Sequence, residues 1–314
     1  MTASSVDLHN KGILQQREQQ AHRMLSWCVL CPRRCKVDRL AGETGECKTG
    51  RLARIASFGP HFGEEGPLVG SHGSGAIFLS SCSLRCCFCQ NHDISQQEGV
   101  GEEVDAQGFA SIMLELQGQG CHNINLVTPS HVVPQIISAL VLAVEGGLNI
   151  PVIYNSSGYD SLQSLELLHG VVDIYMPDFK FWAPESAFRY AEAKDYPERA
   201  RSALLSMHNQ VGELLLDGNG VAVSGLLIRH LMMPGLASET EQILTFIANS
   251  LSKNSYVNIM DQYHPFGTCH HFPEIDRSLS PAEYKIGLEF AKQVGLTRID
   301  RRDVADIWRC LKQL

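Results

Sequence analysis

Residues 82 to 89 of this 314-residue chain read Cys-Ser-Leu-Arg-Cys-Cys-Phe-Cys, so Cys82, Cys86 and Cys89 form a Cys-x3-Cys-x2-Cys triplet with Phe88 just before the last cysteine. Three thiolates on one tight loop can hold three irons of a [4Fe–4S] cube, for which thiolates are the usual ligands. The fourth iron then lacks a protein ligand and is open to bind and reduce a small molecule. Structural zinc asks for a different pattern, four closed ligands usually set as paired Cys-x2-Cys knuckles. Cys87 breaks the spacing and reads as a small buried hydrophobe.

A second group, Cys28-x2-Cys31-x3-Cys35-x11-Cys47, places four thiols within twenty residues, with Pro32, Gly42 and Gly45 available for tight turns. Four cysteines can close an auxiliary [4Fe–4S] cluster or a tetrahedral zinc, and the spacing does not choose between them. The site would serve electron relay or substrate binding, or act as a staple that folds a poorly apolar segment. Cys269-His270-His271 is a weaker candidate for a metal or radical-relay group, and Cys121 has no assigned role. The chain has eleven cysteines, an odd number. In a cytosolic protein, where thiols stay reduced, clustered cysteines point to metal rather than disulfides.

The elements that must position these residues alternate. The triplet follows an apolar run, Ala76-Ile77-Phe78-Leu79. With it, Asn123 to Val127, Val152 to Tyr154, Val172 to Met176, Leu226 to Met232 and Tyr256 to Met260 make six short strands, apolar on both faces as parallel strands under helices are. Helical patterns fall near 106–119, 131–146, 160–169, 185–215, 239–251 and 281–294. Ser280-Pro281-Ala282-Glu283 is a helix start, with Ser at the cap and Pro in the first turn. The alternation predicts an α/β fold with a parallel sheet. Six units are fewer than a closed eight-stranded barrel needs, and a doubly wound open sheet stays open as the alternative. In either fold ligands bind at the C-terminal ends of the strands.

With Cys82, Cys86, Phe88 and Cys89 spaced in this way after a strand, the chain resembles the radical S-adenosylmethionine superfamily, whose signature is Cys-x3-Cys-x-aromatic-Cys. Cys89-Gln90-Asn91-His92-Asp93 looks like its activating-enzyme branch, where an Asn two residues past the last Cys recurs. Residues 28–39 and 73–78 are similar to uncharacterised proteins related to pyruvate formate-lyase activating enzyme. The resemblance covers the chain from about residue 25. It implies a partial (β/α)6 barrel with an N-terminal Cys-rich extension: a lead at 1–25, the extension at 26–70, and the barrel with C-terminal helices at 71–314. It also implies catalysis through the cluster on Cys82, Cys86 and Cys89, by reductive cleavage of S-adenosylmethionine to a 5′-deoxyadenosyl radical that abstracts hydrogen. Flavodoxin or ferredoxin would be the electron donor.

The strand ends supply the remaining cofactor-binding candidates. Phe88 would lie against the adenine, or pack in the core, and Asn91 follows the family pattern. The second strand ends in Thr128-Pro129-Ser130, where activating enzymes carry Gly-Gly-Glu for the methionine amino group. Thr128 and Ser130 could stand in, or Ser130 could cap the next helix. The third ends in Asn155-Ser156-Ser157-Gly158-Tyr159, with Asn155 or Ser157 at the cofactor and Gly158 allowing close backbone approach. On the fourth, Asp178 and Lys180 are two apart and so share a face, with Lys180 a compact charge for the cofactor carboxylate. Arg229, inside an apolar run, must find a partner because buried charge is costly: the cofactor, or Asp178. Past the sixth strand, Asn258, Gln262, Tyr263 and His264 could line the substrate side.

The formal charge of −8 gives no basic footprint for nucleic acid, and the patch at Arg298, Arg301 and Arg302 reads as a solvated face. No stretch approaches a membrane span. The polar N-terminus has no apolar signal core, so a cytoplasmic enzyme is expected. The substrate is open: a glycyl-radical enzyme to be activated, or a small molecule or peptide to be modified. A Cys-rich metal-binding or redox-sensing protein without catalysis is the reading from another class.

Overall fold

The computed structural model describes residues 3–300. Two helices, α1 (Ser4–Asn10) and α2 (Ile13–Arg23), lead into the Cys-rich segment, which has no regular structure until β1 (Ala53–His61). The single turn α3 (Gly66–Val69) precedes β2 (Ser74–Leu79), and the cysteine loop is followed by the single turn α4 (His92–Ser95), β3 (Glu102–Val104) and α5 (Ala106–Gly118). Strands and helices then alternate: β4 (Ile124–Val127), α6 (Val133–Glu145), β5 (Val152–Ser156), α7 (Leu162–Leu168), β6 (Ile174–Pro177), α8 (Pro184–Ala191) and α9 (Tyr196–Val211). The short β7 (Leu215–Leu216) leads to β8 (Ala222–Leu231), α10 (Ala237–Phe246), β9 (Tyr256–Met260), α11 (Pro281–Gln293) and β10 (Arg298–Ile299).

The sheet runs in the order β10-β9-β8-β6-β5-β4-β2-β1-β3. From β2 to β9 every neighbour is parallel, and these six strands are the six expected. Their order never reverses along the chain, so the doubly wound alternative falls. The barrel does not close, because β3 and β10 are free edges. β1 and β3 are antiparallel additions that sequence reading did not anticipate. Gly59 and Pro60 dilute the strand signal of β1, and β3 has only three residues. The sheet therefore begins inside the segment assigned to the extension. The helix expected at 185–215 is two helices, broken where Glu192 takes a left-handed φ of 53°. The pattern at 239–251 ends in a π-helical turn, Ile247–Leu251. Arg301 and Arg302 lie outside the described residues. Among the described residues no helix is long and apolar enough to cross a membrane.

Strand periodicity builds two cores. One fills the space between sheet and helices, with Val152, Tyr154, Tyr175, Leu226 and Ile228. The other fills the base of the lumen: Leu68 from α3 with Ile153, Ile174, Met176, Leu214, Ala222 and Leu227. Two residues further along the same strands, on the same inward face, stand Asn155, Asp178 and Arg229. The apolar plug thus forms the floor on which the polar site is built.

The capping box on α11 forms as the sequence suggests: the Ser280 hydroxyl accepts from the Glu283 N–H at 3.2 Å, and Glu283 accepts from the Ser280 N–H at 3.0 Å. Ser280→Ala is expected to lower stability by about 1 kcal/mol, read as a shift in denaturation midpoint at constant slope.

Candidate active site

A cavity of about 480 Å³ opens at the C-terminal ends of the parallel strands, within the range of roughly 300–1,000 Å³ usual for small-molecule sites. Cys82, Cys86 and Cys89 line one wall, together with Phe88 and Asn91. Thr128, Asn155 and Ser157 line it from β4 and β5, and Asp178, Lys180 and Arg229 from β6 and β8. Of the predicted cofactor-binding residues, only Ser130 is absent from this wall. It is buried and serves the Asp160 carboxylate, which also accepts from Tyr154 and Ser156 at 2.8 and 2.6 Å. Nor does Ser130 cap the helix, which starts at Val133 after Val132. Thr128 takes the left-handed φ of 63° that turns the chain between strand and helix.

The charged residues form one network rather than separate pairs. Arg229 Nε donates to Asp178 Oδ1 at 2.9 Å and one Nη to Asn155 Oδ1 at 3.0 Å, while the other Nη lies 3.3 Å from Glu64 Oε2. Lys180 Nζ pairs with the second Asp178 oxygen. Of the two partners raised for Arg229, Asp178 is the one it meets, and Arg229 also lines the cavity. Burial alone would push the Asp178 carboxyl up, but Lys180 and Arg229 hold it below the usual range. Burial would lower the Lys180 ammonium, yet Asp178, with Cys86 adding to it, raises it.

Glu64 and Glu65 were not legible as site residues, because the loop after β1 carries no motif. The structure brings them across the open side of the barrel. Glu64 lines the cavity, and Glu65 accepts from Asn258 Nδ2 at 2.7 Å. Tyr196 was also missed. Its buried hydroxyl bonds the carbonyls of Ser157 and Asp178, each at 3.0 Å, and accepts from the Lys180 N–H at 2.9 Å, so one helix residue sets the spacing of two strand ends. Gly158, expected to approach a ligand, instead packs against the Asp178 carbonyl with a φ of 75°. Gly158→Ala is expected to cost about 2 kcal/mol or more through strained backbone and overlap, and to weaken ligand binding in the cavity. Chemical denaturation and a ligand-induced thermal shift on the same variant check both.

Three of the four residues expected on the substrate side serve elsewhere. Of Asn258, Gln262, Tyr263 and His264, only Gln262 lines the cavity. Asn258 holds Glu65, Tyr263 is buried with its hydroxyl on the Ile275 carbonyl, and His264 faces Ser278. Cys269 is buried against Tyr263 and Cys87, while His270 and His271 are exposed, so these three form no metal group. A larger cleft of about 830 Å³ between β9, α11 and β10 shares Met260 and Gln262 with the cavity but holds no cysteine.

The triplet fits a cluster chemically. Burial pushes the Cys82 thiol up to about 11 and Cys86 higher still, with the Lys180 ammonium pulling both back. Buried thiolates side by side need a cationic centre, which a coordinated metal supplies. The loop already offers hydrogen bonds to the sulfurs: Leu84 N–H to Cys82 Sγ at 3.4 Å, and Ser95 Oγ 3.2 Å from Cys89 Sγ. Phe88 is almost fully buried between Phe181 and Tyr263, yet its ring borders the cavity.

Fold and site together define an α/β protein with an open parallel barrel and a cysteine-lined cavity at its strand ends. The chain is 32% identical over 295 residues to the uncharacterized protein MJ0674 of Methanocaldococcus jannaschii, covering 92% of this chain and 81% of the relative, and it belongs to that protein's family. No family model matches it. Among solved structures it is similar to Streptococcus suis SuiB bound to the precursor peptide SuiA, with TM-score 0.44 and 11% identity over 68% of this chain and 43% of that one. It is also similar to the radical S-adenosylmethionine methyltransferase TsrM of Kitasatospora setae with cobalamin and a [4Fe–4S] cluster bound, with TM-score 0.44 and 12% identity over 60% of this chain and 36% of that one. The chain thus spans less than half the length of either solved neighbour.

Proposed function

We propose that this chain is a radical S-adenosylmethionine enzyme, on one observation above all: the cysteine triplet and the Asp178–Lys180–Arg229 network face each other across a single cavity of cofactor size. Cys82, Cys86 and Cys89 would hold a [4Fe–4S] cluster, which would supply the one electron for reductive cleavage of S-adenosylmethionine and so for hydrogen abstraction from a substrate C–H. The protein's part is binding, orientation and exclusion of water. Lys180, held by Asp178, would meet the cofactor carboxylate, and Phe88, which borders the cavity, would offer an apolar edge to the adenine. The Glu that activating enzymes carry after the second strand is missing at residues 128–130. Glu64, arriving from the β1 loop, supplies the carboxylate for the amino group instead.

That rearrangement favours a peptide or small-molecule substrate over installation of a glycyl radical on a partner enzyme. A flavodoxin or ferredoxin is the fitting donor, and the cytoplasm the fitting compartment. The test is 5′-deoxyadenosine formation by anaerobically reconstituted protein with dithionite and S-adenosylmethionine. Formation above a cluster-free control is the expected result. A fully loaded protein that neither binds nor cleaves S-adenosylmethionine overturns the reading in favour of a non-catalytic metal-binding protein.

A further inference from the structure

The geometry points to an electron port: we propose that the Cys28–Cys47 segment holds a second [4Fe–4S] cluster, through which an acidic one-electron donor protein reduces the cluster in the cavity. The proposal rests on the cavity reading above.

The segment is folded as a knot. Cys28, Cys31 and Cys47 are buried and Cys35 is half-buried, yet the apolar cluster around them is small, with Leu25 and Leu30 its only other fully buried members. Arg34, Lys36 and Lys48 all take left-handed φ values of 47°, 60° and 55°, conformations of order 1–3 kcal/mol each. So little packing does not hold so much strained backbone, and a metal centre would. The backbone folds the cysteines back on one another: the Cys28 N–H donates to the Val37 carbonyl at 3.0 Å, and the Cys28 and Cys31 carbonyls accept from the Lys36 and Arg34 N–H groups at 2.9 and 3.1 Å. The Glu46 N–H donates to Cys35 Sγ at 3.3 Å, and a side chain at Gly45 would overlap that sulfur. Of the two centres that four thiolates can close, only the iron–sulfur cube passes an electron, because zinc has no redox chemistry.

The knot is fastened to the cavity loop at residues beside the candidate ligands. Arg33 Nε donates to the Ser83 carbonyl at 2.8 Å, one residue past Cys82. Arg85, one residue before Cys86, donates to the Glu46 carbonyl at 2.7 Å, one residue before Cys47. Arg39 holds the His131 carbonyl at 2.7 Å, and the His131 ring reaches the Ser80 carbonyl at 2.9 Å. Residues flanking the two cysteine groups are therefore joined by direct hydrogen bonds, which give an electron a short path between the groups.

The outer face of the knot is basic. Residues 23–54 carry eight Lys and Arg against three Asp and Glu, in a chain with 26 basic and 34 acidic residues. Arg23, Arg34, Lys36, Lys48 and Arg51 are exposed, and Lys36 lies over the exposed Trp27 ring. A basic face on an acidic protein steers an acidic partner to one place. One electron leaves the donor, passes through the knot cluster and arrives at the cavity cluster, with no proton or bond change at the knot.

The first test counts metal and needs no turnover, so its failure is separable from failure of the cavity reading. Reconstituted wild type should hold about eight irons with matching sulfide, four per cube. Cys82→Ala/Cys86→Ala/Cys89→Ala should retain about four, with a reduced-cluster EPR signal that Cys28→Ala/Cys31→Ala in the otherwise intact chain loses. Stoichiometric zinc at the knot, or about four irons in wild type, overturns the proposal. The second test follows cavity-cluster reduction by a reduced acidic flavodoxin in stopped flow. Arg23→Glu/Lys36→Glu/Arg51→Glu should slow it by about tenfold or more at low salt, while reduction by dithionite stays as in wild type. An unchanged flavodoxin rate removes the port.

Discussion

Cys89→Ala is expected to abolish 5′-deoxyadenosine formation, to the level of a cluster-free control. The three thiols line one cavity wall from a single short loop, and each takes a separate iron of the cube, so loss of one leaves a coordination that two thiolates cannot complete. Cys89 is only half-buried, at the edge of the core, and its side-chain hydrogen bond is to Ser95 Oγ, so truncation should leave the fold in place. An unchanged circular dichroism spectrum and denaturation midpoint are therefore part of the expected result. Iron should fall by about half, the remainder sitting at the knot. Full product formation by this variant would falsify the assignment of the triplet.

Arg229→Ala carries the second large effect, on stability and binding together. Arg229 touches Asp178, Asn155 and Glu64 from a largely buried position. Its removal leaves two carboxylates in a desolvated wall with Lys180 as the neighbouring cation. Breaking a buried pair from one side costs about 3–5 kcal/mol, read as a drop in denaturation midpoint. The response to S-adenosylmethionine in a thermal shift should vanish as well. Arg229→Lys should recover part of the stability but not the binding, because one ammonium cannot replace a fork that reaches three partners.

The pH dependence follows from the same network. The Asp178 carboxyl is depressed in the folded protein, so its stabilising contribution is present above the unfolded value of about 3.9. It is lost as pH falls through the lower, folded value. In Arg229→Ala the carboxyl rises, and acid unfolding should set in at higher pH than in wild type. Lys180 is raised, so its contribution persists at neutral pH and is lost only as pH climbs through a value above 10.5. Unfolding curves taken between acid and alkaline pH on both proteins check these signs.

By itself the sequence determined what local chemistry can specify. The spacing of Cys82, Cys86 and Cys89 after an apolar run marked the loop. Short β-branched runs alternating with helical periods marked the six parallel strands from β2 to β9, while Ser280 and Glu283 marked a helix start. These signals lie within a few residues of one another, where the backbone period alone decides which side chains share a face. Asp178 and Lys180 were legible for the same reason. Tertiary structure decided what depends on long-range approach. Glu64 and Glu65 are brought into play only because the curved sheet carries the β1 loop to Arg229 on β8 and Asn258 on β9. Tyr196 sets the spacing of two strand ends from a distant helix. Ser130, read beside Thr128 as a ligand, turns away because the left-handed backbone at Thr128 sends it to Asp160. The fastening of the Cys28–Cys47 knot to the cavity loop is of this second kind. Arg33 with Ser83 and Arg85 with Glu46 are about 40 to 50 residues apart in the chain, and no local period relates them.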